Sequence, residues 1–406
     1  MTHNETLIIN LLKEQAFKPL SPASGKLKFP FAQPGLGYTN TVWDWDSFFT
    51  VKGLADLCRI CSMDKEIEQL KEVAQGDVLN FLDFQEPDGF IPIMLRVDVE
   101  NDGYATRPNA LNCHKPFLCQ QALLAVELGA DSHFIPFERL EKYIDYYYTN
   151  QYDEKSGLFV WADDVFIGAD NNPTVFGRPQ YSSADIFLNG FMLGELQALC
   201  ILSELLQKNI ALHKKRYADF LSAVNEQMYD IESGLYYSQD VCVTTHRTKD
   251  FHHGLPAFWK TVPIKIKMWS CYLPFAYGIP PKEYMEKALH TYKTGGLYSK
   301  FGIRTVSMYE KAYNLEPSGN PSNWLGAIWT VANYALFKAF LNYGYIEEAE
   351  EIKNQTEKYL IKDIQESGSI SESYHPDTGE RFLNNEFFSF NCLYASMVYE
   401  LGARSK

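Results

Sequence analysis

Asp153-Glu154-Lys155-Ser156-Gly157-Leu158-Phe159 is answered later in the chain by Asp230-Ile231-Glu232-Ser233-Gly234-Leu235-Tyr236. Each copy follows a helical stretch that ends in a turn rich in Tyr and Met. Each carries Ser-Gly between an acidic start and an apolar end, the look of a small hairpin arm. Similar segments in the same place after two different helices mark a repeated helix-pair unit. Outward from this pair, apolar residues recur at three- and four-residue spacing. The spacing predicts helices near 4–16, 46–62, 64–84, 115–130, 135–150, 182–206, 209–230, 265–276, 281–291, 322–343, 346–365 and 386–402. Strand signals are short and stay in loops, as in Gly157-Leu158-Phe159-Val160-Trp161.

Apart from the first helix, the connections alternate. Short links join 62 to 64, 130 to 135, 206 to 209, 276 to 281 and 343 to 346, whereas the links between pairs are long. Short links join antiparallel neighbours. Six such pairs in a ring give an all-α fold, an (α/α)6 barrel, with residues 1–406 as a single domain. The helix at 4–16 is expected to close the ring against the last inner helix, 386–402. All long loops then gather on one rim, ahead of the inner helices. The unusual segments fall in those loops: Trp43-Asp44-Trp45-Asp46, Asn112-Cys113-His114-Lys115, Asp170 to Ser183, His252-His253-Gly254 to Trp259, Ser322-Asn323-Trp324, and Glu372 to Glu386. Long loops rich in Trp, Asp and Gly are where a scaffold carries its function.

Composition narrows the class. The net charge is −14 and no Lys/Arg cluster stands out, which argues against a nucleic-acid partner. Aromatic residues make up 15% of the chain. Most serve a large core, but Trp and Tyr in loops also suit the flat faces of sugars. The first eighteen residues lack a basic head and a small-residue cleavage site, and no unbroken run of eighteen apolar residues occurs. The eight cysteines show no framework spacing, which fits reduced thiols and a cytoplasmic setting. Cys58-Arg59-Ile60-Cys61 has the spacing of a redox pair, but it lies within a helical pattern. His252-His253 lacks further ligands at fixed spacing, so no metal or other cofactor is expected. Outer helices of such a ring can pair between copies, so a homo-oligomer stays open.

Two turns carry the sharpest chemistry. Gly168-Ala169-Asp170-Asn171-Asn172-Pro173 and Ser371-Glu372-Ser373-Tyr374-His375-Pro376-Asp377-Thr378-Gly379-Glu380 each place an acid among small and polar residues before a helix. Two carboxylates across a pocket are the minimal equipment for breaking a glycosidic bond. The bland alternative is that Asp170 organises an Asx-turn and Glu372 caps a loop. Trp43, Trp45 and Trp329 are candidate stacking platforms, and Trp324 opens a helix beside them. Asp46 is placed to accept two sugar hydroxyls or to cap the helix it begins. Arg178, with Arg107, His114 and Lys115 from a neighbouring loop, would suit an anionic leaving group. The alternative for Arg178 is an internal ion pair with Asp163 or Asp164.

These residues resemble those of glycoside hydrolase family 63 and its trehalase-like relatives, especially the compact mannosylglycerate and glucosylglycerate hydrolases. Trp43-Asp44-Trp45-Asp46-Ser47-Phe48-Phe49 resembles the family segment that holds the sugar in the −1 subsite. The turn at Asp170 resembles Gly-x-Asp-Asn-Ser-Pro, which carries the general acid. Ser183-Ala184-Asp185-Ile186-Phe187-Leu188-Asn189 resembles the start of the next inner helix. Trp324-Leu325-Gly326-Ala327-Ile328-Trp329, with Asn333-Tyr334, resembles Trp-Arg-Gly-Pro-Ile-Trp and its Asn-Tyr. The stretch Glu372 to Glu380, followed by Phe388-Ser389, resembles the general-base segment. The five stand in the family's order along nearly the whole chain.

The resemblance implies an inverting α-glycosidase acting on a small α-glucoside or α-mannoside, glycosylglycerate-like or a short oligosaccharide. Asp170 is then the acid and Glu372 the base. Trp43, Trp45, Asp46, His114, Lys115, Arg178, Trp324, Trp329 and Glu380 face the substrate. The acid should sit among apolar or anionic neighbours, with Trp161, Phe166 and Phe176 to supply them. Three departures stand out: Leu325 replaces an arginine, His114 stands near a usual glutamine, and Phe166-Ile167-Gly168 replaces Glu-Ser-Gly. Two rival readings keep the barrel. Trp161-Ala162-Asp163-Asp164 resembles a segment of unsaturated uronyl hydrolases, with Asp163 and Asp164 as the acting pair. The other rival is a carbohydrate-binding barrel without catalysis.

Overall fold

The computed structural model describes residues 1–98, 106–243, 258–316, 322–382 and 384–404. Twelve α-helices occur among them: α1 His3–Gln15, α2 Asp44–Cys61, α3 Asp64–Asp83, α4 Leu118–Glu127, α5 Phe137–Asn150, α6 Ile186–Leu205, α7 Ile210–Met228, α8 Leu273–Ala276, α9 Lys282–Thr294, α10 Thr330–Asn342, α11 Ile346–Ser367 and α12 Leu393–Arg404. The inner ring runs α2, α4, α6, α8, α10, α12 and back to α2, each packing on the next. The fold is therefore the expected all-α toroid, with only short strands in its loops.

Burial explains which helices lie inside. α6 is apolar on nearly every side, and 89% of its most apolar stretch is buried. It is long and apolar enough to cross a membrane, yet here it forms a wall of the barrel. Gly190, Gly194 and Glu195 break its apolar run, which hides it from a search for unbroken ones. Outer helices keep one wet face; α5, for instance, buries Phe137, Leu140, Tyr143, Ile144, Tyr146 and Tyr147 along one stripe.

α1 docks differently from expectation. It packs on α11 and α2, where Lys353 pairs with Glu5 and Asn4 bonds Glu357. It thus fills the outer layer beside the last inner helix, the place of a sixth outer helix.

Inner helices also begin later than periodicity suggests. α4, α6, α10 and α12 start at residues 118, 186, 330 and 393 rather than 115, 182, 322 and 386. The preceding residues are extended or irregular and build the rim. Ser183–Ala184 is a strand against Gln239–Asp240, which pairs in turn with Val262–Ile264. The segment expected as a helix at 265–276 shrinks to a 3-10 turn, Trp269–Tyr272, and one α turn with Pro274 near its start.

The repeated hairpins share one register. Tyr152 faces Phe159 and Asp153 faces Leu158; Tyr229 faces Tyr236 and Asp230 faces Leu235. In each, the aspartate accepts the N–H of the turn serine, and the following glycine takes a positive φ. A third hairpin, Tyr298–Ser299 with Gly302–Ile303, follows α9. An asparagine one turn into an inner helix fastens two of them. Asn189 accepts from Phe159 N–H at 2.9 Å and donates to its carbonyl at 2.8 Å. Asn333 does the same for Ile303 N–H and the Phe301 carbonyl at 2.9 and 3.1 Å.

Candidate active site

A cavity of about 170 Å³ opens where the inner helices begin. Its walls include Tyr38, Trp43, Trp45, Asp46, Lys115, Phe166, Gly168, Asp170, Trp324, Trp329, Glu372 and Asn384. Residues from far-separated loops thus meet at one place. The floor is aromatic. Trp324 and Trp329 stack with centroids 4.0 Å apart, and Trp45 lies 5.6 Å from Trp324 and 4.8 Å from Phe390. Such pairs contribute about 0.5–1.5 kcal/mol each beyond their burial, which makes the floor stiff.

The first wall is the start of α2. The helix begins at Asp44, with Trp43 at the cap position and no side-chain cap. Asp46 is therefore not the cap. Its carboxylate lines the cavity and accepts from Ser389 Oγ at 3.0 Å. Burial holds its pKa well above the usual carboxylate range. The Ser389 bond and the Lys115 charge pull it down, while Glu372 and Asp44 add to the rise.

Beneath it lies a buried ion pair. Lys115 Nζ sits 2.7 Å from Asp44 Oδ1, and Lys115 N–H donates to Asp44 Oδ2 at 2.8 Å. Both side chains are at most 1% exposed. The Lys115 ammonium also stands 5.8 Å from the centre of the Trp45 ring. The acid turn passes directly over this lysine. A Cβ on Gly168 would stand 3.2 Å from Lys115 Cδ and Cε and 3.3 Å from Phe187 Cζ, at a φ of +89°. Only glycine meets both demands without strain.

In that turn Asn172 organises an Asx-turn. Its Oδ1 accepts from Thr174 N–H at 3.0 Å. Asn171 ties the turn to the tryptophan loop: its Oδ1 accepts from Trp324 N–H at 2.8 Å. Asp170 stands beside these and lines the cavity. Of the aromatic neighbours expected for it, Phe166 lines the cavity, Trp161 is buried outside the lining, and Phe176 is 60% exposed.

Glu372, on the same cavity, is 8% exposed. Its Oε2 accepts from Tyr38 Oη at 3.0 Å and from Asn384 Nδ2. Burial pushes its pKa up to about 7; the bonds from Asn384 and Tyr38 oppose that, and the Asp170 charge adds to it. Tyr38 and Asn384 are missing from the sequence reading. Tyr38 is brought in by Pro34-Gly35-Leu36-Gly37-Tyr38, whose Leu36 N–H donates to the Glu386 carbonyl at 3.1 Å. An added Cβ on Gly35 would stand 2.4 Å from that carbonyl oxygen, so the close approach needs glycine. The Gly-rich run was the available signal.

Other expected substrate-facing residues lie elsewhere. His114 is 2% exposed, packed edge-on against Phe81 and Tyr143 at 4.4 and 5.8 Å. Burial lowers its pKa to about 4, so it is a neutral core residue. Arg178 pairs with Asp240 at 2.5 Å and donates to Ser183 Oγ at 2.9 Å; its internal partner is neither Asp163 nor Asp164. Arg107 is held by Glu86 and Asp88. Glu380 is exposed and does not line the cavity. Asp163 accepts from Asn112 Nδ2 at 2.9 Å and Asp164 from Gly177 N–H at 2.7 Å, and neither borders the cavity. His252-His253 lies outside the described residues. Among the described residues no cluster of three or more metal-ligating side chains occurs. All eight cysteines are free.

No curated protein matches the chain significantly. Solved structures do. A GH63 mannosylglycerate hydrolase from Thermus thermophilus in complex with glucose superposes with a TM-score of 0.69 at 18% identity, covering 98% of this chain and 99% of that one. The same enzyme in complex with Tris and D-glycerate gives 0.68 at 17%, over 99% and 100%. Neutral trehalase Nth1 from Saccharomyces cerevisiae gives 0.61 at 15%, over 92% of this chain and 76% of that one. The model of the mannosylglycerate hydrolase MGH1-like glycoside hydrolase domain matches residues 38–390, from Tyr38 on one wall of the cavity to Phe390 in its floor. The chain belongs to that family and is a glycosidase.

Proposed function

We propose that the chain is an inverting glycosidase in which Asp170 is the general acid and Glu372 the general base. The observation that carries this reading is that these two carboxyl groups border one small cavity with a tryptophan floor. Inversion needs a gap of roughly 6.5–9.5 Å between the carboxyls, room for one water. In the reaction Asp170 gives its proton to the glycosidic oxygen as the bond to the anomeric carbon breaks. Glu372 takes a proton from water as the water oxygen attacks the opposite face. The products are a free alcohol and a sugar of inverted configuration. Asp170 is left ionised and Glu372 protonated, and exchange with solvent resets both.

Asp46 suits two adjacent sugar hydroxyls, and Trp43 stands beside it at the rim. The substrate is a small α-glucoside or α-mannoside. The similar enzyme from Thermus thermophilus is a mannosylglycerate hydrolase, which favours a glycerate leaving group. The cations expected for that carboxylate are otherwise engaged: Arg178 and Arg107 in ion pairs, His114 in the core, and Lys115 with Asp44. Comparing the glycerate glycoside with the glycerol glycoside of the same sugar reads the charge preference directly. The mechanism is tested by proton NMR of the first-formed anomer, with Asp170→Asn and Glu372→Gln in parallel. Inversion with both variants crippled is expected. A retained anomer, or full turnover by both variants, overturns the assignment.

A further inference from the structure

Asp185 is fully buried and does not line the cavity, yet it carries an unusual load. Its Oδ2 accepts from Trp161 Nε1 at 3.1 Å and from Asn172 Nδ2 at 3.0 Å. Its Oδ1 accepts from Thr174 Oγ1 at 2.9 Å and from Ser238 Oγ at 2.8 Å. The residue occupies the N-cap of α6, where an aspartate ordinarily turns its side chain to helix N–H groups. Here it makes no such bond, and the Ile186 N–H goes to Ser238 Oγ at 2.9 Å instead. Only the Asp185 main chain serves the helix, accepting from Asn189 N–H at 3.0 Å and Nδ2 at 2.8 Å. The carboxylate is thus left to the loop that precedes α6.

We propose that Asp185 is the positioning residue that fixes the Asp170 turn, clamping Asn172 and Thr174 to the rigid start of α6. This rests on Asp170 being the general acid. Two of the four donors belong to the turn itself, two and four residues after Asp170. The turn is stiff inside the clamp: Asn172 N–H donates to the Ala169 carbonyl at 2.8 Å, and Thr174 N–H donates to Asn172 Oδ1 at 3.0 Å. A shift at residues 172–174 therefore passes to Asp170. Proton donation is sensitive to such a shift, since a misplacement of about 1 Å costs about a hundredfold.

A positioning role and a merely structural one separate through the leaving group. A methyl glycoside needs a proton on its departing oxygen. A 2,4-dinitrophenyl glycoside leaves without one. Both are made on whichever sugar the wild type cleaves. Asp170→Asn is expected to lose about 10²–10⁴-fold on the methyl glycoside and little on the aryl one. Asp185→Ala is expected to lose about tenfold or more on the methyl glycoside and under about threefold on the aryl one. Thr174→Val, which removes one clamp bond at nearly constant volume, shifts the same ratio by less. Asp185→Asn restores much of it, because an amide can turn its oxygen to the two N–H donors and its NH2 to the two hydroxyls. Equal losses by Asp185→Ala on both substrates, or none on either, overturn the clamp. Should Asp185→Ala not fold, Thr174→Val decides by the same ratio, and an unchanged ratio overturns the proposal. Should Asp170→Asn itself lose equally on both substrates, it is the acid assignment that fails.

Discussion

Removing one hydroxyl, by Tyr38→Phe, should reshape the pH profile and not merely scale it. The proposed base, Glu372, can take a proton only when ionised, and burial pushes its pKa up to about 7. The phenol donates to Oε2 at 3.0 Å and so favours the charged form. A hydrogen bond to a charged acceptor contributes about 1.5–3 kcal/mol. Tyr38 is only half-buried and Asn384 stays on the same oxygen, so water and the amide recover part of that loss. A net loss of about 1 kcal/mol raises the Glu372 pKa by about 0.7 unit. The ionised fraction then falls about fivefold at pH 6 and by about 4% at pH 9. The assay is kcat/KM from pH 5 to 9 on one substrate, wild type beside Tyr38→Phe. The acidic limb should move up by about half a unit to one unit. Tyr38 also borders the cavity, so a constant loss from a missing sugar contact can lie on top. Only the shape decides. A limb that stays put or moves to lower pH refutes the hydrogen-bond argument.

Three further outcomes follow from the same geometry. Glu372→Gln should stabilise the protein at pH 8. The folded pKa of about 7 exceeds the ordinary 4.5, so folding takes up a proton between these values and wild-type stability falls as pH rises through that window, by at most about 3–4 kcal/mol; melting temperatures that differ at pH 8 and converge near pH 4.5 check it. Gly168→Ala should cost about 1–2 kcal/mol from the positive φ alone, and the crowding against Lys115 and Phe187 should lower kcat/KM well beyond the loss in melting temperature; unaltered kinetics would show that the turn tolerates a shift. Lys115→Met should cost about 3–5 kcal/mol by leaving Asp44 buried without its partner; denaturant unfolding of the double variant with Asp44→Asn should recover most of that, and a double variant no more stable than the single one contradicts the pair's role.

The toroid was legible because its evidence is local. Helical spacing and alternating link lengths lie along the chain, and twelve helices in pairs admit few arrangements. The starts of α4, α6, α10 and α12 were not legible. The residues ahead of α10 and α12 are rich in apolar and aromatic side chains, and periodicity scores a tryptophan alike whether it faces a helix neighbour or floors a cavity. Trp324 shows this: the spacing places it in a helix, but the chain needs it in an irregular run where its ring stacks on Trp329. The third hairpin escaped because Ser299-Lys300-Phe301-Gly302 lacks the Ser-Gly turn that marks the other two. Tyr38 escaped for a different reason. Tyr38 reaches Glu372 across 334 positions of sequence, and only closure of the ring puts them in contact.

His114 and Lys115 show where reading residue types runs out. They are neighbours, both basic, in one loop, and a reader gives both the same task. The two side chains nevertheless go to different places. His114 turns back between Phe81 and Tyr143, where burial strips its charge. Lys115 turns inward to the cavity wall. Composition alone predicts the reverse, since imidazole is a natural sugar ligand and a lysine almost never tolerates full burial. What reverses the choice is Asp44, which binds the ammonium and the main-chain N–H of Lys115 together. The cost of burying one charge is offset by the partner at the first residue of α2, so the Trp43-Asp44-Trp45-Asp46 segment and the loop at 115 specify each other. Asp44 is therefore the residue whose role most depends on the assembled fold: in sequence it is one of two acids beside tryptophans, and in the barrel it anchors the lysine over which the acid turn must pass.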